Sequence, residues 1–249
     1  MIKLFFLPLL LLVSNPCFAA IDFDGTDDFV SVGARGSLFD SDSFSVCAWI
    51  KTAGSPPDYI FSDYNSSGST SSFALALDGS NRARFFWENP NPTAPQAIGT
   101  TVLSDNNWHH LCGTWNGTTR TVYVDGVSEG TNATAQTRSD VGGVAAIGRP
   151  GAFDGLYFDG IIDDVRFYND ALTAAEVKSL FESKLRGTFI GRSLGAYWTV
   201  NDGPDGTSAD GDRIISTTGI NHGTGDDGAG NANLTWVGAS PLSYPPNIQ

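Results

Sequence analysis

FSVCAWIKT, residues 44–52, alternates along its length: Phe44, Val46, Ala48 and Ile50 fall on one side of an extended chain, and Ser45, Cys47, Trp49 and Lys51 on the other. Period-two alternation marks a strand, and four apolar residues on one side mark the face that packs on a core. A second cysteine has a similar setting in NNWHHLCGTW, residues 106–115, where Trp108, His110, Cys112 and Thr114 share the side opposite His109, Leu111 and Trp115. Each cysteine needs only its strand placed beside or across from the other for a bond to form.

Outward from these two stretches the same pattern repeats. DDFVSV, DYIFSDY, SFALALDG, RARFFWE, TRTVYVDGV, VAAIGR and DDVRFY are short runs separated by clusters of Gly, Asn, Asp and Ser. Such spacing predicts an all-β chain folded as a two-sheet antiparallel β-sandwich of the jelly-roll kind. One short helix is expected near residues 173–184. Thr173-Ala174-Ala175-Glu176 forms a capping box, Val177, Leu180 and Phe181 an apolar stripe, and Gly187 a stop.

Residues 1–19 carry one early lysine, an apolar run from Leu4 to Val13, an Asn-Pro break and small residues at the end, which is the pattern of a secretory signal peptide. Cleavage after Ala19 removes Cys17 and leaves Cys47 and Cys112 in an oxidising route of export. A bridge between them is the economical reading, and two buried free thiols are the alternative. The chain is thus expected to be extracellular or periplasmic. No later apolar segment approaches the ~20 residues of a membrane-spanning helix, so no membrane insertion is expected. Loss of Lys3 leaves 13 basic residues against 27 acids, a net charge of 13 − 27 = −14, which repels nucleic acid and anionic lipid.

Three stretches, IDFDGTDDFVSV, NNWHHLCGTWNGTTRTVYVDGV and AAIGRPGAFDGLYFDGIIDDVRFYNDALTAAEV, together resemble the laminin G-like (LamG, pentraxin-like) jelly roll of the concanavalin A-like lectin/glucanase superfamily. The resemblance implies a jelly-roll domain over residues 20–186. FSVC and HLCGTW are similar to the two strands that an internal disulfide joins in pentraxins, which implies that Cys47 faces Cys112. The segment AYWTVNDGPDGTSADGD with INHGTG resembles one that in many such domains precedes the FDGTDD strand, whereas here it follows the helix. Residues 187–249 are therefore read as an extension that completes the same sandwich as a permuted strand, with the stump of a second repeat as the other reading.

The superfamily includes laminarinase-type hydrolases, whose carboxylates come from one strand in a Glu-x-Asp-x-Glu pattern. That pattern is absent here, and the chain is not expected to be an enzyme. His109 and His110 point to opposite faces of one strand and cannot chelate together. IIDDVRFY resembles the last strand of those enzymes, which implies a structural calcium ion, Ca2+, held by Asp163 with Asp24 of the first strand by preference, or Asp22, and backbone carbonyls; capping of strand ends by Asp163 and Asp164, or their pairing with Arg166, is the competing reading. A sugar site needs an aromatic platform with polar neighbours, and Trp87 and Tyr157, both next to loops, are the candidates. The expectation is a secreted, non-catalytic binding module for a glycan or cell-surface ligand, most economically carbohydrate. A structural or adhesive protein that holds a protein partner is the alternative, and a glycoside hydrolase a third reading. Four Asn-X-Ser/Thr acceptors occur, at Asn65, Asn116, Asn132 and Asn233, and matter only in a host that glycosylates.

Overall fold

The computed structural model describes residues 20–34, 42–54, 58–64, 72–88, 95–134, 144–151, 155–183, 194–198, 213–214, 223–226 and 235–237. The expected signal peptide lies outside these residues. In chain order the strands are β1 (Ala20–Asp24), β2 (Phe29–Ala34), β3 (Phe44–Lys51), β4 (Tyr59–Tyr64), β5 (Ser72–Leu77), β6 (Arg82–Glu88), β7 (Gln96–Val102) and β8 (Trp108–Trp115). They continue with β9 (Arg120–Val124), β10 (Val127–Asn132), β11 (Val144–Ile147) and β12 (Asp159–Tyr168); after helix α1 (Ala174–Ser183) come β13 (Leu194–Trp198), β14 (Arg213–Ile214), β15 (Gly223–Asp226) and β16 (Thr235–Val237).

The strands form two antiparallel sheets. Sheet A runs β10-β9-β8-β3-β12-β1-β16, with β13 also on β12, and sheet B runs β14-β15-β2-β11-β4-β5-β6-β7. Their inner faces enclose one core. Phe44, Val46, Ala48 and Ile50 enter it from β3, Leu111 and Trp115 from β8, and Phe73, Leu75, Phe85 and Trp87 from β5 and β6. Phe44 sits at its centre, 4.6 Å from Phe73 and 5.2 Å from Trp87 between ring centroids. The sheets approach closely at Gly113, where an added Cβ would lie 2.3 Å from the Phe85 ring, so this strand position has no room for any side chain.

Cys47 and Cys112 stand directly opposite each other in the β3–β8 pair, their Cα atoms 4.0 Å apart, and are joined by a disulfide. The bond lies on the outer side of sheet A, in an apolar cluster with Tyr123, Tyr168, Leu172, Val177 and Leu180. Helix α1 forms the roof. Its start is the capping box read from the sequence: the Thr173 backbone N–H donates to Glu176 at 2.7 Å, and Glu176 N–H donates to the Thr173 hydroxyl at 3.3 Å.

β13 lies within the 187–249 segment and pairs with Val165–Tyr168 of β12. β1 pairs with Ile162 to Asp159 of the same strand, so β1 and β13 line one edge of β12 end to end. Ala196 and Trp198 face the core, with Trp198 5.7 Å from Phe61, while Tyr197 faces the other way. Trp236 pairs through its backbone with Ile21, and its side chain lies outside the described residues. Among the described residues no helix is long and apolar enough to cross a membrane.

Candidate functional site

The outer face of sheet B carries no helix among the described residues. Strand register places Tyr59, Ala76, Arg84 and Ile98 in one row across β4–β7, and Ser31, Ala146, Ser62, Ala74, Phe86 and Gln96 in the next. Tyr59 and Phe86 close over Ala74 and Ala76 in a small apolar cluster. Arg84 lies above it, its guanidinium 4.3 Å from the Phe86 ring centroid and 5.7 Å from that of Tyr59. Alanines in the middle of the rows leave the space that the larger rings occupy.

A second arginine stands at the other end of the second row. Ser62 donates its hydroxyl to the Arg149 carbonyl at 3.0 Å and accepts the Gly151 N–H at 2.8 Å, which pins the turn after β11 to the sheet. The Arg149 guanidinium lies 3.3 Å from the Phe29 ring centroid, and its Nη1 is 3.5 Å from the Tyr157 hydroxyl, the outer limit of a hydrogen bond. The Nε atoms of Arg84 and Arg149 are both buried without a partner. Among the described residues neither arginine forms an ion pair, whereas Arg82, two residues from Arg84, is held by Asp78 at 2.6 Å. Unpaired guanidinium groups are notable in a chain with nearly twice as many acids as bases.

The end of the sandwich where β1 meets β12 is acidic. Asp24 stands opposite Asp159 in register, and Asp24, Asp27 and Asp28 have carboxylate oxygens within 4.8 Å of one another. That loop is largely built from its own backbone. Asp28 accepts the Asp24 N–H at 2.9 Å, and Asp24 accepts the Thr26 N–H at 2.8 Å. Asp58, at the entry to β4, is 2 % exposed; burial and then the charge of Asp159 push its carboxyl up to about 7. Asp22 is raised by burial and then by Asp159 and Asp24.

The two histidines behave oppositely, as their faces require. His109 sits at the rim, 2.8 Å from Asp125 and 3.2 Å from Asp105, and the hydrogen bond to Asp125 is the main cause that raises its pKa. His110 is enclosed between Trp49 and Phe181, where burial and then Arg166 lower it to about 3. Three of the four glutamates are held in pairings of their own. Glu129 accepts the Thr100 and Thr101 N–H groups at 2.7 and 3.0 Å, Glu176 caps α1, and Glu182 lies 3.5 Å from Lys178.

The expected site residues are not assembled as the sequence suggested. Trp87 is corrected to a core residue: it is 1 % exposed, because it shares the inward parity of Ala83 and Phe85 on β6, and Arg120 stacks over it at 5.1 Å. Asp24 and Asp163 are not partners. Asp24 faces Asp159, and Asp163, four residues further along β12, lies roughly 13 Å away at the rise of a strand. Asp163 is fully buried, its Oδ1 accepting the Asp164 N–H at 2.7 Å. Tyr157 stays half-buried beside Arg149. Arg84 and Arg149 were missed, although the alternation of RARFFWE already puts Arg84 and Phe86 on the side opposite Phe85. Asp58 carried no local signal, since Asp159 is 159 − 58 = 101 residues away.

A laminin G-type family model, described as the Concanavalin A-like lectin/glucanases superfamily, matches residues 24–178. Among solved structures, the fold is similar to a candidate carbohydrate-binding protein from Bacteroides ovatus, with 16% identity and a TM-score of 0.60 over 92% of this chain and 62% of that one. This chain thus spans less than two thirds of that protein's length. A SAP-like pentraxin from Limulus polyphemus, a native heptamer, matches with 16% identity and a TM-score of 0.60 over 91% of this chain and 97% of the pentraxin. Domain 4 of an extracellular arabinanase from Geobacillus stearothermophilus, solved in complex with arabinotriose, matches at 20% identity and a TM-score of 0.51, over 65% of this chain and 75% of that one. No curated protein matches the chain in sequence.

Proposed function

The chain belongs to the Concanavalin A-like lectin/glucanases superfamily, and from that membership we propose that it is a secreted, non-catalytic module that binds carbohydrate on the outer face of sheet B. The observation that carries this reading is Arg149. Its planar guanidinium rests on Phe29 beside the Tyr157 hydroxyl, with hydrogen-bond donors left over and no carboxylate among the described residues to take them. Such a fork suits the paired hydroxyl or carboxylate oxygens along the edge of a sugar, and a half-buried tyrosine ring next to it suits the flat apolar face. Ring stacking fixes the arginine before the ligand arrives, so less conformational entropy is lost on binding. Arg84, over Tyr59 and Phe86, offers a second fork on the same face.

The acids support a binding role over hydrolysis. Glu129, Glu176 and Glu182 already have structural partners, and Asp58 is too buried to reach a glycosidic oxygen. Solved structures of the same fold include a carbohydrate-binding module in complex with sialyllactose, which supports a glycan as the class of ligand. Export is supported by the buried disulfide.

A glycan array on the purified protein tests this directly, followed by calorimetric titration of the best sugar. Arg149→Ala is expected to weaken binding at least about tenfold, the value of one charge-assisted hydrogen bond. Retention of the sugar by Arg149→Ala and Arg84→Ala alike would remove this face from the role. Binding to a protein surface with no glycan retained would favour the adhesive alternative instead.

A further inference from the structure

We propose that Gly99, Thr100 and Thr101 form a carboxylate-binding nest at the seam where the outer edges of the two sheets meet, with Glu129 as its built-in occupant, a latch that shuts the open edge of sheet B. β10 ends sheet A, and β7 ends sheet B. Although they belong to different sheets, the two strands touch. An added Cβ at Gly130 of β10 would run into the Ile98 carbonyl oxygen of β7, and one at Gly99 of β7 would lie 2.7 Å from Glu129 Oε2. Neither glycine adopts a positive φ, so the close approach requires them and the backbone conformation does not.

Both strands are irregular at this one place. The β10–β9 register passes from Ser128 opposite Tyr123 to Gly130 opposite Val122, so Glu129 is the extra residue of a bulge. On sheet B, Ile98 faces Arg84 and Val102 faces Arg82, which leaves Gly99, Thr100 and Thr101 opposite Ala83. A bulge re-aims the groups around it. Successive N–H groups of a regular strand point to opposite edges, yet here those of Thr100 and Thr101 both donate to Glu129 Oε2, at 2.7 and 3.0 Å. Two successive amides that converge on one oxygen make an anion-binding concavity. The Thr101 hydroxyl donates to Oε1 at 2.5 Å, so both carboxylate oxygens are engaged. Glu129 has no cation partner among the described residues. Burial acts against its charge, but the hydrogen bonds from Thr101 and Thr100 outweigh burial and lower its pKa. A site built of donors alone, with room made by a glycine, suits a flat carboxylate. Edge amides left open would recruit another strand, and Glu129 denies them to it. Because the occupant is tethered, its effective concentration keeps free carboxylates out.

The experiment is thermal unfolding of Glu129→Ala and of the unsubstituted protein at pH 7, in sodium acetate or in sodium chloride of equal ionic strength. Glu129→Ala is expected to melt lower in chloride and to regain most of that loss in acetate along a saturable curve, because a ligand that binds only the native state stabilises by mass action. The amide resonances of Thr100 and Thr101 are expected to shift along the same curve. Glu129→Gln, whose amide oxygen still accepts the two N–H groups, is expected to keep most of the stability and to ignore acetate. The unsubstituted protein is expected to melt alike in both salts. Gly99→Ala, added to Glu129→Ala, is expected to abolish the acetate response, since the methyl group takes the place of the bound oxygen. If Glu129→Ala does not fold in chloride, recovery of folded protein in acetate reads the same rescue. Equal melting, or equal failure to fold, of Glu129→Ala in the two salts overturns the proposal. So does an acetate gain that the unsubstituted protein shares or that survives Gly99→Ala.

Discussion

The two outer faces of this sandwich treat arginine in opposite ways. On sheet A, Arg166 is buried and held by Asp164, Nη2 to Oδ2 at 2.7 Å and to Oδ1 at 3.1 Å, with the Tyr197 ring of β13 5.1 Å from its guanidinium. Burial works against its charge, but Asp164, Tyr168 and Tyr197 outweigh it and hold the guanidinium above its usual range. On sheet B, Arg84 and Arg149 are half-exposed, lie on aromatic rings and have no carboxylate partner among the described residues. A face that is sealed must neutralise its charges internally, because an unpaired ion out of water is costly. A face that stays open can leave its donors unused. The closure of sheet A is therefore structural, whereas on sheet B the Nε atoms of Arg84 and Arg149 are left without an internal partner among the described residues.

The largest effect expected from this contrast follows removal of the charge that serves Arg166. Asp164 adopts a φ of 52°, which asparagine tolerates, so Asp164→Asn keeps the backbone and the shape while leaving a buried cation unpaired. It is expected to lower stability by about 3 kcal/mol or more, measured by urea unfolding at pH 7. A loss below about 1 kcal/mol would place Arg166 in the class of surface pairs and erase the distinction between the faces.

Sheet A also shows what was readable in the chain and what was not. The alternation of FSVCAWIKT gave the inward face Phe44, Val46, Ala48 and Ile50 correctly, because a strand's period is local. The capping box located α1 for the same reason. Pairing of Cys47 with Cys112 was reachable because few cysteines were available. The relative placement of the aspartates was not reachable, because it depends on register. Asp24 meets Asp159 and not Asp163, and the β12 ladder shifts between Asp163 and Arg166, so spacing along that strand does not convert simply into position. Trp87 was misread for another reason: a loop follows it in sequence, yet its parity on β6 points inward with Phe85. Arg149 became informative only when folding placed Phe29, 149 − 29 = 120 residues away, beneath it.

A smaller effect separates the rim from the sealed face through two adjacent residues. His110, under α1, is neutral when folded down to about 3, whereas an unfolded histidine takes up a proton near 6.5. Between those values the unfolded chain binds more protons, so His110 makes stability fall as pH drops from about 6.5 toward 3. His109 has a raised folded pKa, so its contribution is fully present below the unfolded value of 6.5 and is lost as pH rises through the folded value. His110→Gln is expected to flatten the acid-side loss in urea midpoints measured from pH 7 to pH 4. His109→Gln is expected to remove stability at pH 5.5 and little at pH 8.5. Equal pH profiles for both variants would show that the two positions share one environment.

The smallest effect on stability is expected at the residue with the largest expected effect on binding. Arg149→Ala removes a side chain that stacks on Phe29 and reaches the Tyr157 hydroxyl only at the limit of a hydrogen bond. It leaves no buried carboxylate behind, because it pairs with none among the described residues. The loss is then confined to one cation–π contact and some apolar area, under about 1 kcal/mol in urea unfolding. The same substitution on the sealed face, Arg166→Ala, leaves Asp164 as an unpaired buried anion and is expected to cost several times more, about 3 kcal/mol. If Arg149→Ala destabilised the fold as much as Arg166→Ala, its stacking on Phe29 would be a structural element of sheet B, and the guanidinium would no longer be held for a ligand.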